Sequence, residues 1–261
     1  PQTDTRPPAH AVVESFRAEL RYGYVWTCLG EPLAGIPEFP EDGAAGYRRI
    51  HQFHERWNCA GLRIMENGFD NAHFSFVHRS SFGQADNPTV DPGTITHTDY
   101  GFVYESRMPV NNPDLQLQNL GMAERKTERI MRKHWYLPFT RRLEIRYPNG
   151  LVHSIVGNAT PIDDRSVMWC QWCYRNDTEA EAPAAGVIAF DRQVTDEDRV
   201  ILEATDWDVP LAVYSGEERS MVSDRPGIEM RKRLAAVLET HGEAEARRSV
   251  PNDSREAAVS P

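Results

Sequence analysis

Residues 141–175, RRLEIRYPNGLVHSIVGNATPIDDRSVMWCQWCYR, decide the fold. The stretch is dense in Val, Ile, Tyr and Trp, which suit a pleated, half-buried surface. Pro148-Asn149-Gly150 interrupts it with residue types that favour tight turns. It reads as strand, turn and strand over 141–159, then a further strand over 165–175. Working outward, 130–138 and 96–108 have the same character. Residues 11–29 alternate and give one or two more strands. The segment 30–46 carries Pro32, Pro37 and Pro40 with several Gly and reads as a connecting loop. Residues 51–56 are strand-like or irregular, and 79–95 are loop.

Helices flank these strands. Residues 60–78 contain no Pro and space Leu62, Met65, Phe69, Phe76 and Val77 as one helix would. Thr195-Asp196-Glu197-Asp198 looks like a helix start, with Thr as the cap and acids in the first turn of a helix to about residue 206. Another helix begins at Pro226 and runs to His241, with Gly242 as its stop. Strands clustered between helices predict an α+β domain built on an antiparallel sheet. The polar tail, 243–261, is expected to be disordered.

A chain of 261 residues with 40% hydrophobic and 26% charged content is an ordinary globular protein of one or two domains. The net charge of −10 repels phosphate backbones, so no nucleic-acid partner is expected. No apolar run reaches the ~20 residues of a membrane span. The first ten residues are polar and Pro-rich, unlike a signal peptide. Cys28, Cys59, Cys170 and Cys173 do not make a secreted disulfide framework, so a cytoplasmic location is expected.

The chemistry concentrates in Asn67-Gly-Phe-Asp70-Asn-Ala-His73-Phe-Ser-Phe-Val-His78. On a helix, Asn67, Asp70 and His73 share one face. Imidazoles and carboxylates gathered among apolar side chains suit a transition metal. Two His and one carboxylate with open positions suit Fe(II) in particular, although imidazole also serves Zn, Cu and Ni. His73 and His78 lie about 140° apart around an ideal helix. They reach one metal only if the helix is distorted, as at a π-bulge, or ends between them. A lone His on an apolar helix is more often a satisfied core residue, and Asp198 alone reads as an acid near a helix N-terminus. The His-x3-His zinc spacing with an internal Glu is absent.

Asn67-x2-Asp70-x2-His73-x4-His78 resembles the iron-binding motif of Rieske-type non-haem oxygenase α subunits. Phe53-His-Glu-Arg-Trp57-Asn58, Phe76-Val77-His78-Arg79 and Ser223-Asp-Arg-Pro226-Gly227 resemble its vanillate O-demethylase branch. Glu197-Asp198-Arg199-Val200 with Glu203 resembles the segment carrying the third iron ligand. The resemblance implies that His73, His78 and Asp198 bind a mononuclear Fe(II). Asp70 would accept a hydrogen bond from His73 and link it to a cluster-binding His of a neighbouring subunit. Asn67 would be a polar group near the iron. The implied fold is the helix-grip type, an antiparallel sheet curved around a long C-terminal helix. The implied activity is O2-dependent oxygenation of a C–H bond, by hydroxylation or oxidative O-demethylation, on a small apolar substrate, aromatic or polycyclic. The implied assembly is a homotrimer. Its electrons come from NAD(P)H through a ferredoxin or flavin reductase and a Rieske [2Fe–2S] cluster.

The chain departs from that pattern in lacking the Cys-x-His and Cys-x2-His loops of a Rieske centre. Arg21-Tyr-Gly-Tyr-Val-Trp26-Thr-Cys-Leu-Gly30 resembles the strand by which the family's chain leaves its Rieske domain. The expected organisation is therefore the end of a Rieske domain and linker over 1–43, a catalytic domain over 44–242, and the tail. The cluster is expected in a longer protein. Two other readings stay open: a zinc hydrolase using the same His, His and Asp, and a non-catalytic ligand-binding domain of the same fold. Cys170 and Cys173 are expected to be packed strand residues. His134-Trp135-Tyr136 and His153 are either core or cavity lining. Arg125, Lys126, Arg129, Arg132 and Lys133, like Arg141-Arg142, are read as a solvated basic face or a docking surface for an acidic reductase.

Overall fold

The computed structural model describes residues 10–213 and 218–245, together with Pro8, Gly216 and Arg247. In chain order the strands are β1 (Arg17–Arg21), β2 (Tyr24–Cys28), β3 (Arg48–Trp57), β4 (Thr94–Thr98), β5 (Gly101–Asn111), β6 (Lys126–Tyr136), β7 (Thr140–Arg146), β8 (Val152–Asp163) and β9 (Ser166–Arg175). The helices are α1 (Gly61–Phe69), α2 (Phe74–Val77), α3 (Asp114–Leu120), α4 (Ala184–Leu202) and α5 (Arg225–His241). Strands β3 to β9 form one seven-stranded antiparallel sheet in the order β3-β9-β8-β7-β6-β5-β4, and β1 and β2 form a separate hairpin. The α+β class is as expected. Most of the tail expectation, 243–261, lies outside the described residues.

Pairing fixes which side chains share a face. Phe102, Trp135, Arg141, Gly157, Gln171 and Phe53 are register partners in one row across the sheet. Because side chains alternate along a strand, this row and its neighbours define an inner face. There Phe102, Trp135 and Trp169 join Ile64, Met65 and Phe69 of α1, Leu202 of α4 and Met230 of α5 in one core. Gly101 is required at the start of β5, since a Cβ there would lie 1.9 Å from the Trp135 carbonyl oxygen.

The outer face is covered by residues 22–47. Tyr22 and Phe39 pack with Trp172, Tyr174 and Tyr136. Glu41 makes a buried ion pair with Arg142, which also donates to Glu144 at 2.7 Å. Such charges are tolerated in a core only when paired in this way.

Several expectations are corrected. Residues 96–108 are two strands, β4 and the start of β5, joined by a tight turn. Helix α3 was not foreseen. Thr195 does not begin a helix: α4 starts at Ala184, behind Pro183, and the Thr195 hydroxyl donates back to the Asp191 carbonyl at 2.7 Å. The basic run is not a single solvated face. Arg129 and Lys133 point inward and are buried, whereas Lys126 and Arg132 point outward and pair with Asp86 and Glu105. Arg141 and Arg142 occupy opposite faces of the sheet, Arg142 buried and Arg141 lining an internal cavity. Among the described residues no helix is long and apolar enough to cross a membrane.

Candidate metal centre

Helix α1 stops at Phe69, and Asp70 is extended (φ −76°, ψ 127°). The Asp70 carboxylate accepts hydrogen bonds from the backbone N–H of Ala72 (2.7 Å) and of His73 (3.2 Å). It therefore starts the next turn as a capping acid does. His73 precedes the four-residue α2 and His78 follows it. The single helix expected over 60–78 is thus broken at Asp70–Ala72, and its second piece, α2, ends between the two histidines. His78 has left helical backbone (φ −91°, ψ 21°), so the ~140° separation of an ideal helix no longer holds. Gly68 permits the approach of α1 to the sheet: a Cβ there would sit 1.7 Å from Arg141 Nη1.

The two imidazoles converge, with His73 Nε2 and His78 Nε2 3.2 Å apart. Asp198, on α4, brings its Oδ1 to 3.4 Å from His73 Nε2 and 3.2 Å from His78 Nε2. Both rings are oriented from behind. His73 Nδ1 donates to Asp70 Oδ2 at 3.2 Å, and His78 Nδ1 donates to Glu197 Oε2 at 2.8 Å. Glu197 is itself held by the hydroxyls of Ser81, at 2.7 Å, and Ser80. With Nδ1 protonated in each ring, both Nε2 lone pairs face one another and Asp198 Oδ1. Asp198 Oδ1 is buried and receives no hydrogen bond. Three convergent acceptors repel unless a cation lies between them. Metal bonds of about 2.1 Å place adjacent donors about 3.0–3.4 Å apart, which is the spacing here. The residues present fit Fe(II), and together His73, His78 and Asp198 could hold such an ion.

The protonation equilibria agree. Burial, the largest single influence, pushes the Asp198 carboxyl up, but in the absence of a metal the hydrogen bonds and charge that His73 and His78 supply when protonated on Nε2 outweigh it. They hold Asp198 far below the usual carboxylate range. Asp70 and Glu197 are lowered in the same way, burial opposing and the His73 or His78 contacts prevailing. Burial opposes a charge on His78, yet Asp198 and Glu197 raise its pKa. Without a metal these carboxylates draw a second proton onto the ring.

The site opens into a cavity between the inner sheet face and α1, α2 and α4. Phe74, Phe82, Phe190, Leu143, Ile145 and Ile155 give it apolar walls, and Asn67 lines it as well. Of the aromatic and histidine candidates on strands, His153 lines the cavity. Trp135 is core, with Nε1 donating to the Pro138 carbonyl, and His134 and Tyr136 stack on the outer face. Cys173 faces inward and is buried, while Cys170 lies on the other face, as strand alternation requires. Sequence reasoning noted Glu197 only as a neighbouring acid. Its place beside Asp198 on a helix, about 100° round, is the signal that it would serve a different side of the site.

Residues 57–240 match the family described as the vanillate O-demethylase oxygenase C-terminal domain. The chain belongs to this family. Among curated relatives, this vanillate O-demethylase-type domain is 25% identical over 243 residues to methylxanthine N1-demethylase NdmA of Pseudomonas putida, covering 90% of this chain and 64% of the relative. It is 26% identical over 233 residues to methylxanthine N3-demethylase NdmB of the same organism, covering 85% and 60%. The chain therefore spans less than two thirds of the length of either relative. The solved structure of P. putida CBB5 NdmA with caffeine has the same fold: TM-score 0.77 at 22% identity, over 92% of this chain and 66% of that one. So does dicamba monooxygenase bound to 3,6-dichlorosalicylic acid, with TM-score 0.76 at 18% identity, over 94% and 76%.

Proposed function

We propose that this chain is the catalytic part of an O2-dependent oxygenase that removes a methyl group from oxygen or nitrogen on a ring-containing small molecule, or hydroxylates such a molecule. The observation that carries this reading is the convergence of His73 Nε2, His78 Nε2 and Asp198 Oδ1 on one point at the wall of an apolar cavity. Iron held there supplies O2 activation: one O2, two electrons and two protons convert a C–H bond to C–OH and yield one water. A hydroxylated methyl group on oxygen or nitrogen then departs as formaldehyde. The names of the methylxanthine demethylases, and of the family itself, favour demethylation over ring hydroxylation.

The chain's own residues divide the work. His73, His78 and Asp198 hold the metal, and Asp70 and Glu197 fix the two rings by their Nδ1 atoms. Phe74, Phe82 and Phe190 exclude water and give a ring flat surfaces to lie against. Asn67 supplies a polar group beside the metal. The Asp70 side chain is 30% exposed while bonded to His73. It is the group through which an electron from a Rieske [2Fe–2S] centre of a neighbouring subunit would enter, in a homotrimer fed from NAD(P)H by a ferredoxin or flavin reductase. The hairpin supports a docked cluster domain, because Leu20 and Val25 pair across it and are exposed, with Phe16 and Leu29 nearby. On this reading residues 1–43 are the end of a Rieske domain and its linker, 44–242 are the catalytic domain, and the protein is cytoplasmic.

The test is turnover under ¹⁸O2 by the iron-loaded protein with a Rieske domain and reductase, against aryl methyl ethers and N-methyl heterocycles. One ¹⁸O atom should appear in the released formaldehyde when exchange is trapped by rapid reduction. Formaldehyde made without O2, or at an equal rate by His73→Ala, would contradict the reading.

A further inference from the structure

The cavity holds a charged group that metal binding leaves unexplained. Arg129, on β6, is 97% buried (3% exposed), and its Nε and Nη2 have no hydrogen-bond partner. Its guanidinium carbon lies 4.8 Å from the Phe82 ring centre and 5.4 Å from that of Tyr147. Both ring faces attract a cation, but neither satisfies an N–H. Two carboxylates line the same cavity, and both are engaged elsewhere. Asp191 accepts from Gln52 at 2.5 Å and faces His153 at 3.2 Å, and Asp198 belongs to the metal centre. Arg141, the other cavity arginine, rests over the Trp169 ring and against Gly68.

Beside Arg129 stand two further polar groups. Gln116 Nε2 donates to the Tyr147 hydroxyl at 3.2 Å, so the Tyr147 O–H remains free to donate onward. Burial above all raises the Tyr147 phenol, which stays protonated. Phe82 joins this end of the cavity to the metal end, since it stacks on His78 with ring centres 4.6 Å apart. Arg129 and His78 therefore flank the same ring.

We infer that Arg129, with Tyr147 beside it, binds a carboxylate on the substrate and holds the far end of the molecule toward the metal. A planar guanidinium with adjacent free N–H groups matches a carboxylate in a way that an amide or a hydroxyl does not. The cavity's occupant is thus an aryl or polycyclic acid, which adds one charged group to the apolar ring substrate expected from sequence. The inference rests on the oxygenase reading only in taking this cavity as the substrate site.

Binding without turnover tests it separately. The full chain is titrated calorimetrically with benzoate, 1-naphthoate and the corresponding amides, which match in shape but carry no charge. For the unaltered protein at least one acid should bind roughly 10–100-fold more tightly than its amide, the range of a charge-assisted hydrogen bond. Arg129→Met keeps the packing against Phe82 and Tyr147 and should erase that preference while leaving iron content and amide binding unchanged. Arg129→Lys should restore part of it. Acids that bind no better than amides, or not at all, would overturn the inference. So would an acid preference that survives Arg129→Met, which would point to Arg141. The acid–amide comparison on the unaltered protein needs no variant to fold. An acid preference in a protein that incorporates no ¹⁸O would leave the inference standing and remove the oxygenase reading.

Discussion

Two groups of potential ligands lie at the same cavity. One is His73, His78 and Asp198, which all line it; the other is His153, Cys173 and Asp191, of which His153 and Asp191 line it. Both are largely buried and both bring three donor atoms close together. They differ in what stands around them. In the first, carboxylates occupy the rear of each imidazole, so the Nε2 lone pairs and Asp198 Oδ1 turn toward one point with no N–H between them. In the second, Gln52 is a donor placed inside the group, with Nε2 2.5 Å from Asp191 Oδ2 and 3.5 Å from Cys173 Sγ. Gln171 in turn donates to Gln52 Oε1 at 2.8 Å. Burial pushes the Cys173 thiol well above its ordinary pKa, away from the thiolate a metal needs. Proximity of ligand-type residues is common to both groups. A surplus of acceptors, oriented from behind, belongs to the first alone.

The largest difference should appear on removing ligands. His73→Ala or Asp198→Ala should lower bound iron from about one per chain to below a tenth, because two donors cannot close the site. Cys173→Ala should leave it unchanged. Elemental analysis after anaerobic purification reads both, and equal iron in all of them would erase the distinction. Next comes the support behind the ring. Glu197→Ala should weaken metal affinity about 10–100-fold, the usual cost of losing such a partner. Competition with a chromophoric chelator measures it, and Glu197→Gln should fall between the two.

The second group should respond in stability rather than in metal. Asp191→Ala leaves the Gln52 amide without its buried acceptor and should cost roughly 1–3 kcal/mol in urea unfolding. Iron content should stay the same. A pH effect concerns Lys133, beside the first group, whose Nζ donates to Asn71 Oδ1 at 2.6 Å. Burial, helped by Arg141, pushes this amine down to about 7. Its ordinary value in an unfolded chain is about 10.4, so between these limits the unfolded state binds more protons. Stability should therefore rise as pH rises from 7 toward 10, with the penalty fully present below 7. Lys133→Met should flatten that rise in the urea midpoint, and an unchanged slope would show that Lys133 is not its source.

Much of this contrast was legible in the sequence. The strands announce themselves by alternation and turn residues, and the four motif residues by their spacing. The helix break at Asp70 was hidden because apolar spacing continues through 60–78, while the cap depends on where one carboxylate points. Asp198 could not be separated from Asp196 and Glu197 by position alone; the angular step along α4 sends Asp198 toward the Nε2 atoms of His73 and His78 and Glu197 behind His78. Thr195 looked like a cap because Thr followed by acids has that chemistry, yet Pro183 had already begun the helix. Arg129 and Lys133 looked solvated because a basic run on a strand reveals its inward members only when register is known, and a one-residue slip exchanges the faces.

Iron K-edge absorption on the iron-loaded chain, with metal content determined on the same sample, tests the centre most directly. Coordination by His73, His78 and Asp198 requires about one iron per chain and a first shell of nitrogen and oxygen alone, including two imidazoles. A sulfur neighbour at about 2.3 Å would put the metal at Cys173 instead, and a chain that retains no iron would contradict the assignment altogether.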